Sequence, residues 1–340
     1  MTVRRDPAIS PEDLARAVAR AADRHLQLGV RLPDGRWLAY AEFGAPDGRP
    51  VFVFHGVPGS RLLMDDDRPI ADAGLRMIAV DRPGIGRSDP QPNRTMLDWP
   101  RDIAALADTL GARTFAVAGG SGGGPYALAC AHVLPDRVSR VVLAASMAPL
   151  DRPGALEGFA PSRRFAWWML QHAPLQRQIT SWMQARLFRK EPKWMLGRMT
   201  RRMSEADRAA VMDAAVHDVL LGQLREAFRQ GWRGVAQDFA VLTRPWGFAL
   251  GEIRAPVDLW QGLDDENVPA AMGRYLAATL PNCRARFEPG GGHFGPLETM
   301  DEILAVLAAT VASAGVDGAS ATAAAGADGD EGDGDEGRGR

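Results

Sequence analysis

Apolar residues in this chain cluster in short continuous runs: VFVF at 51–54, MIAV at 77–80, FAVA at 115–118 and VVLAA at 141–145. Each run ends in Gly, Pro or polar residues. Such runs suit strands covered on both faces, as in a parallel sheet. Segments 96–111 and 124–135 lie between them with helical spacing, and this alternation predicts right-handed strand–helix–strand crossovers. Gly111 and Pro135 stop those helices. Ahead of the runs, LQLGVRLPDGRWLAYAEFG alternates on both sides of Pro33, Asp34 and Gly35, which predicts a hairpin.

After Ala148 the rhythm breaks. As far as about Gly251 the chain reads as helices carrying Met, Leu, Phe and Trp, and six of the nine Trp fall there. The β rhythm returns at 256–262, followed by a helix at 270–280, a strand at 283–289 and a last helix at 298–313. The expected fold class is therefore α/β, a mostly parallel central sheet with helices on both faces and an inserted helical cap. The organisation reads as an N-terminal helical arm over 1–27, a core over 28–148 and 253–313, and a cap over 149–252. Ser10, Pro11 and Asp13 open the arm's helix, which runs to Ala22. Residues 314–340 carry Ala, Gly, Asp and Glu with no large apolar residue after Val316, and read as a disordered acidic tail.

Composition narrows the classes. Hydrophobic residues at 46% and charged residues at 24% are ordinary for a soluble globular protein. With 40 Lys and Arg against 42 Asp and Glu, the chain lacks the positive excess that drives sequence-independent nucleic-acid binding. Cys130 and Cys283 stand far apart, so neither a disulfide framework nor a zinc site is indicated, and both read as buried apolar residues. The N-terminus has no apolar leader and no stretch reaches about 18 uncharged apolar residues. A cytoplasmic protein without an integral membrane segment is expected.

The strongest chemical signal is Gly119-Gly120-Ser121-Gly122-Gly123, a G-x-S-x-G between a predicted strand and a predicted helix. A serine on such a turn stands at the C-terminal edge of the sheet. The plainer alternative is a phosphate loop, but the Lys of that motif is missing. A serine nucleophile needs a base, and His293 in GGGHFGP follows the last predicted strand, where a loop returns to the sheet edge. His25, His55, His132, His172 and His217 fit less well. The acid belongs between the two in chain order, and QGLDDENVP offers Asp264, Asp265 and Glu266, with Asp151 a weaker alternative. Two backbone amides are needed for an oxyanion. Gly122 supplies one, and Val57 in FHGVPGS is placed for the other, because Pro58 has no N–H.

With these residues in view, the chain resembles the α/β-hydrolase fold superfamily. HGVPGS resembles its oxyanion loop, DRPGIGRSDP its DxxGxGxS loop, GGSGGGPYAL its nucleophile elbow, GLDDENVP its acid loop and GGGH its histidine loop. The resemblance aligns Asp265, rather than Asp264, with the acid. It implies a serine hydrolase that cleaves a carboxylic ester or related acyl bond through Ser121, His293 and Asp265, with Val57 and Gly122 as oxyanion donors and no metal or organic cofactor. The Ser at the elbow disfavours epoxide hydrolases and haloalkane dehalogenases, which carry Asp there. Proline iminopeptidases typically show HGGPG and GGSWG, and neither is matched.

The helical block corresponds to the cap such proteins insert. Trp167, Trp168 and Met169 are the candidates to contact an apolar small-molecule acyl substrate, although most members of an aromatic stripe serve packing. Residues 150–250 hold sixteen basic and nine acidic side chains, suited to an anionic substrate, an acyl carrier or a membrane surface, or more plainly to a solvated Arg-rich face. Cofactor-free oxygen or peroxide chemistry on the same triad, and a ligand receptor with little turnover, stand as alternatives. The oligomeric state is not legible.

Overall fold

A computed structural model describes residues 26–63, 67–201 and 203–309. The expected N-terminal helix and the acidic tail lie outside these residues.

Strands β1 (Leu28–Arg31) and β2 (Trp37–Gly44) form the expected hairpin and pair antiparallel. Six further strands follow: β3 (Arg49–Phe54), β4 (Leu75–Val80), β5 (Phe115–Gly120), β6 (Val138–Ala144), β7 (Val257–Gly262) and β8 (Cys283–Glu288). They join one eight-stranded sheet in the order β1-β2-β4-β3-β5-β6-β7-β8. β2 meets β4 antiparallel, and every pairing from β4 through β8 is parallel.

Alternate residues of each buried strand feed two cores, which is why the strands read as unbroken apolar runs. Phe52, Phe54, Ile78, Val80, Val117 and Leu143 point to one side. Packed there are helices α2 (Trp99–Thr109), α3 (Gly124–Val133) and α10 (Ala270–Thr279). Val51, Met77, Ala79, Ala118 and Trp260 point to the other, against α1 (Arg68–Asp72) and α11 (Met300–Ala309). The sequence reading did not include α1, whose five residues are too few to show a helical period. Cys130 is buried as expected, but Cys283 is only half-buried, because β8 is the sheet's edge strand and alternates between half-buried and exposed positions.

Among the described residues six α-helices lie between β6 and β7, α4 (Pro161–His172), α5 (Pro174–Lys190), α6 (Pro192–Thr200), α7 (Glu205–Met212), α8 (Ala214–Ala227) and α9 (Arg233–Leu242). Five of them, α5 to α9, close a core of their own around Phe188, Leu196, Leu224 and Phe228. Helix α9 links cap and sheet domain, with Val235 in the cap core and Val241 and Leu242 in the main one.

Candidate active site

Strand β5 ends at Gly120, and the chain turns through Ser121 at φ 54° before entering α3. A positive φ is costly for a residue with a Cβ and is held only when the surroundings fix it. Here Ser121 O accepts the Met147 amide at 3.1 Å. Small neighbours are obligatory: a Cβ on Gly119 would lie 2.5 Å from the Gly123 carbonyl oxygen, and one on Gly123 would strike the Phe54 carbonyl. The two glycines therefore let the elbow close against β3.

The acid and the base meet. His293 Nδ1 stands 2.8 Å from Asp265 Oδ2. The other carboxylate oxygen of Asp265 accepts the amides of Asn267 and Val268, both at 2.8 Å, so the acid is fixed by its own loop. Asp264 and Asp151 are exposed, and neither is hydrogen-bonded to His293. Burial works against a charged His293, but the Asp265 carboxylate, their hydrogen bond and the nearby Asp207 carboxylate outweigh it, and the imidazole pKa is raised above its ordinary 6.5. His55 behaves in the opposite way. Burial and then Arg82 push it down to about 3, and its Nδ1 lies 2.9 Å from Gly56 O, so it is a neutral loop residue.

Ser121 and His293 line one cavity of about 480 Å³ together with Gly56, Val57 and Pro58. A Cβ on Gly122 would touch Val57 Cγ2 at 3.0 Å, so the two expected oxyanion residues are neighbours across the loop. The cap side of the cavity is mostly apolar, with Trp167, Leu170, Met199, Met203 and Phe239 among the residues that form it and Arg163 and Gln223 as its polar members. Of the three cap candidates, Trp167 faces the cavity. Trp168 and Met169 do not: Trp168 lies one residue further round the helix and is 49% exposed, and Met169 is half-buried outside the cavity wall.

Two sets of residues around the site escaped the sequence reading. Asp207 on α7 is buried, and its Oδ1 accepts the amide of Phe294, next to His293, at 2.8 Å. A cap helix thus grips the histidine loop. The second set is a buried ionic cluster under the oxyanion loop. Arg82 donates to the carbonyls of His55 at 2.6 Å and Gly56 at 2.9 Å, and its Nε donates to Asp238 Oδ2 at 2.9 Å. Arg94 completes the cluster, bonded to Asp238 and to the Tyr126 hydroxyl. Burial raises the pKa of Asp238, but Arg82 and Arg94 more than reverse that and hold it at about 2. Arg82 belongs to the DRPGIGRSDP loop, whose Asp81 is likewise buried and accepts from Arg61 at 2.6 Å. Among the described residues, no three His, Cys, Asp or Glu side chains converge as a metal site would require.

A family model described as alpha/beta hydrolase fold matches residues 49–299. The chain belongs to this family. A 2-hydroxy-6-oxononadienedioate/2-hydroxy-6-oxononatrienedioate hydrolase of Burkholderia vietnamiensis is 30% identical over 238 residues, 67% of this chain and 73% of that protein. A proline iminopeptidase of Xylella fastidiosa is 36% identical over 119 residues, which is 32% of this chain and only 36% of the relative. Among solved structures, a bromoperoxidase from Bacillus anthracis superposes with a TM-score of 0.63 at 19% identity, covering 83% of this chain and 99% of that one. At that identity the shared property is the fold. No helix among the described residues is long and apolar enough to cross a membrane.

Proposed function

We propose that this α/β hydrolase is a serine hydrolase that cleaves a carboxylic ester, or a closely related acyl bond, of an apolar small molecule. The observation that carries the reading is one cavity walled by Ser121 on its strained elbow and by His293, itself bonded to Asp265. With Nδ1 engaged by Asp265, Nε2 is the nitrogen left for Ser121. In this reading His293 takes the Ser121 proton as Oγ attacks the carbonyl carbon, and returns it to the departing alcohol. Asp265 holds the tautomer and offsets the imidazolium charge. The Val57 and Gly122 amides receive the oxyanion, and water then releases the acid from Ser121.

The substrate class is inferred from the cavity wall. About 480 Å³ suits a drug-sized molecule, and the cap side offers Trp, Leu, Met and Phe surfaces. An N-terminal ammonium, which an iminopeptide substrate carries, calls for a carboxylate, and among the described residues the cavity wall includes no Asp or Glu. This favours a neutral acyl group over a peptide.

Hydrolysis of p-nitrophenyl esters of increasing acyl length, by wild type and by Ser121→Ala, tests the reading. Turnover is expected in the wild type, best with medium apolar acyl groups, and lost in the variant. No ester turnover in the wild type, with peracid formation from a carboxylic acid and hydrogen peroxide instead, would move the assignment to peroxide chemistry.

A further inference from the structure

Helix α4 has two faces of opposite use. Arg163, Ala166, Trp167 and Leu170 line the cavity, while Phe165, Trp168 and His172 lie on the opposite side, where Phe165 is 63% exposed. Helix α5 repeats the arrangement. Arg177, Ser181, Ala185 and Phe188 are buried, whereas Leu175, Ile179, Trp182 and Met183 fall on the other face at helical spacing and are all exposed. Trp194 on α6 is exposed as well. Isolated exposed apolar residues need no explanation, but this concentration of large ones on three consecutive helices does.

The same helices are strongly basic. Residues 161–200 contain eight Arg or Lys and a single acidic residue, Glu191. Arg164, Arg186, Arg189, Lys190, Lys193 and Arg198 are exposed. Arg186 stands over the Trp182 ring at 5.9 Å and Arg198 over Trp194 at 5.7 Å. Apolar side chains set among cations, with guanidinium groups over tryptophan rings, fit the boundary between headgroups and acyl chains.

We propose that the outer face of α4–α6 docks on an anionic lipid bilayer. The chemistry of the face selects this occupant over two others. A second copy would bring like charges together. The acidic segment 314–340 complements the cations but has Val316 as its single large apolar residue, too little to cover Phe165, Leu175 and Trp182. A bilayer supplies both terms at once, an acyl region for the aromatic and aliphatic side chains and negative headgroups for the Arg and Lys. The exposed Leu297 and Ala166 also belong to the cavity wall, so the cavity reaches the surface, and Ala166 lies on α4, the same helix that carries Phe165 and Trp168. If the ester reading holds, the apolar substrate arrives from the bilayer; the docking itself does not depend on that reading.

Co-sedimentation of the full chain with phosphatidylcholine vesicles, with and without phosphatidylglycerol, tests the docking without any turnover. Binding is expected only when phosphatidylglycerol is present, to weaken as salt rises, and to shift tryptophan emission to shorter wavelength. The pair Arg186→Glu and Lys193→Glu should weaken binding by about tenfold or more. The pair Trp168→Ser and Trp182→Ser should weaken it even at low salt, and because all four side chains are exposed, thermal midpoints should not move. Failure to bind either vesicle, or equal binding in wild type and both variants, would overturn the proposal. So would a wild-type dimer in solution that the same substitutions convert to monomer without any lipid association.

Discussion

In the proposed reaction Ser121 and His293 depend on different local devices. For Ser121 the device is geometry, since the positive φ lifts the hydroxyl out of the turn while Gly119 and Gly123 allow the backbone to pass. Either glycine replaced by alanine is expected to destabilise the fold by roughly 2 kcal/mol or more and to lower turnover, read as a drop in thermal midpoint with loss of ester hydrolysis. For His293 the device is charge. A base must be neutral to accept a proton, so kcat/KM should rise with pH along a limb set by the His293 pKa, which lies above the ordinary 6.5. Asp207 contributes to that elevation. Asp207→Asn keeps a hydrogen-bond acceptor for the Phe294 amide but removes the charge, so the limb should move to lower pH, as a pH–rate profile would show. An unchanged limb would mean that Asp207 acts on the loop's position alone.

At the scale of elements, cap and core meet through buried charge. Helix α9 carries Asp238 between Arg82 and Arg94, and Arg82 in turn holds the carbonyls of the oxyanion loop. Replacing Asp238 by Ala leaves two buried guanidinium groups without their counter-ion, and a loss of about 3–5 kcal/mol is expected in denaturant unfolding. The carboxylate pKa is depressed from 3.8 to about 2, so the stability it confers is present above the ordinary value and lost as the pH falls through about 2. Asp238→Asn should therefore flatten the acid limb of the thermal midpoint between those values. Arg82→Lys removes one arm of the fork, and should lower kcat more than it raises KM, since the loop it supports faces the developing oxyanion.

The elements that position the site were legible from sequence where local chemistry dictates them. The apolar runs gave the buried strands, the hairpin followed from Pro33, Asp34 and Gly35, and the five motif loops all lie at the C-terminal edge of the sheet. Partners distant in sequence were not legible. Asp238 sits in a segment that reads as an ordinary amphipathic helix, and nothing in its surroundings announces that it faces Arg82, 156 residues away. Asp207 reads as an acidic residue in a helix's first turn, a position that usually serves the helix itself. The cap's aromatic residues carried a helical period, but the period does not say which face meets the core. For that reason Trp167 and Trp168 read as equivalent, although of the two Trp167 lines the cavity and Trp168 does not.

For the molecule as a whole, an α/β sheet supplies rigid loops and the cap supplies the cavity's apolar wall. Trp167 contributes to that wall from α4 and meets Phe239 of α9 at 6.1 Å between ring centroids. Trp167→Ala should enlarge the cavity and shift the preferred ester toward longer or bulkier acyl groups, measured as the ratio of kcat/KM across a chain-length series. The proposed reaction requires that Ser121 become covalently acylated with the help of His293. Intact-mass and peptide-mapping analysis after treatment with a fluorophosphonate reports it directly. A single adduct on the peptide containing Ser121, formed by the wild type and slowed by several orders of magnitude in His293→Ala, is the predicted result. No adduct, or modification at another residue with Ser121 untouched, would contradict it.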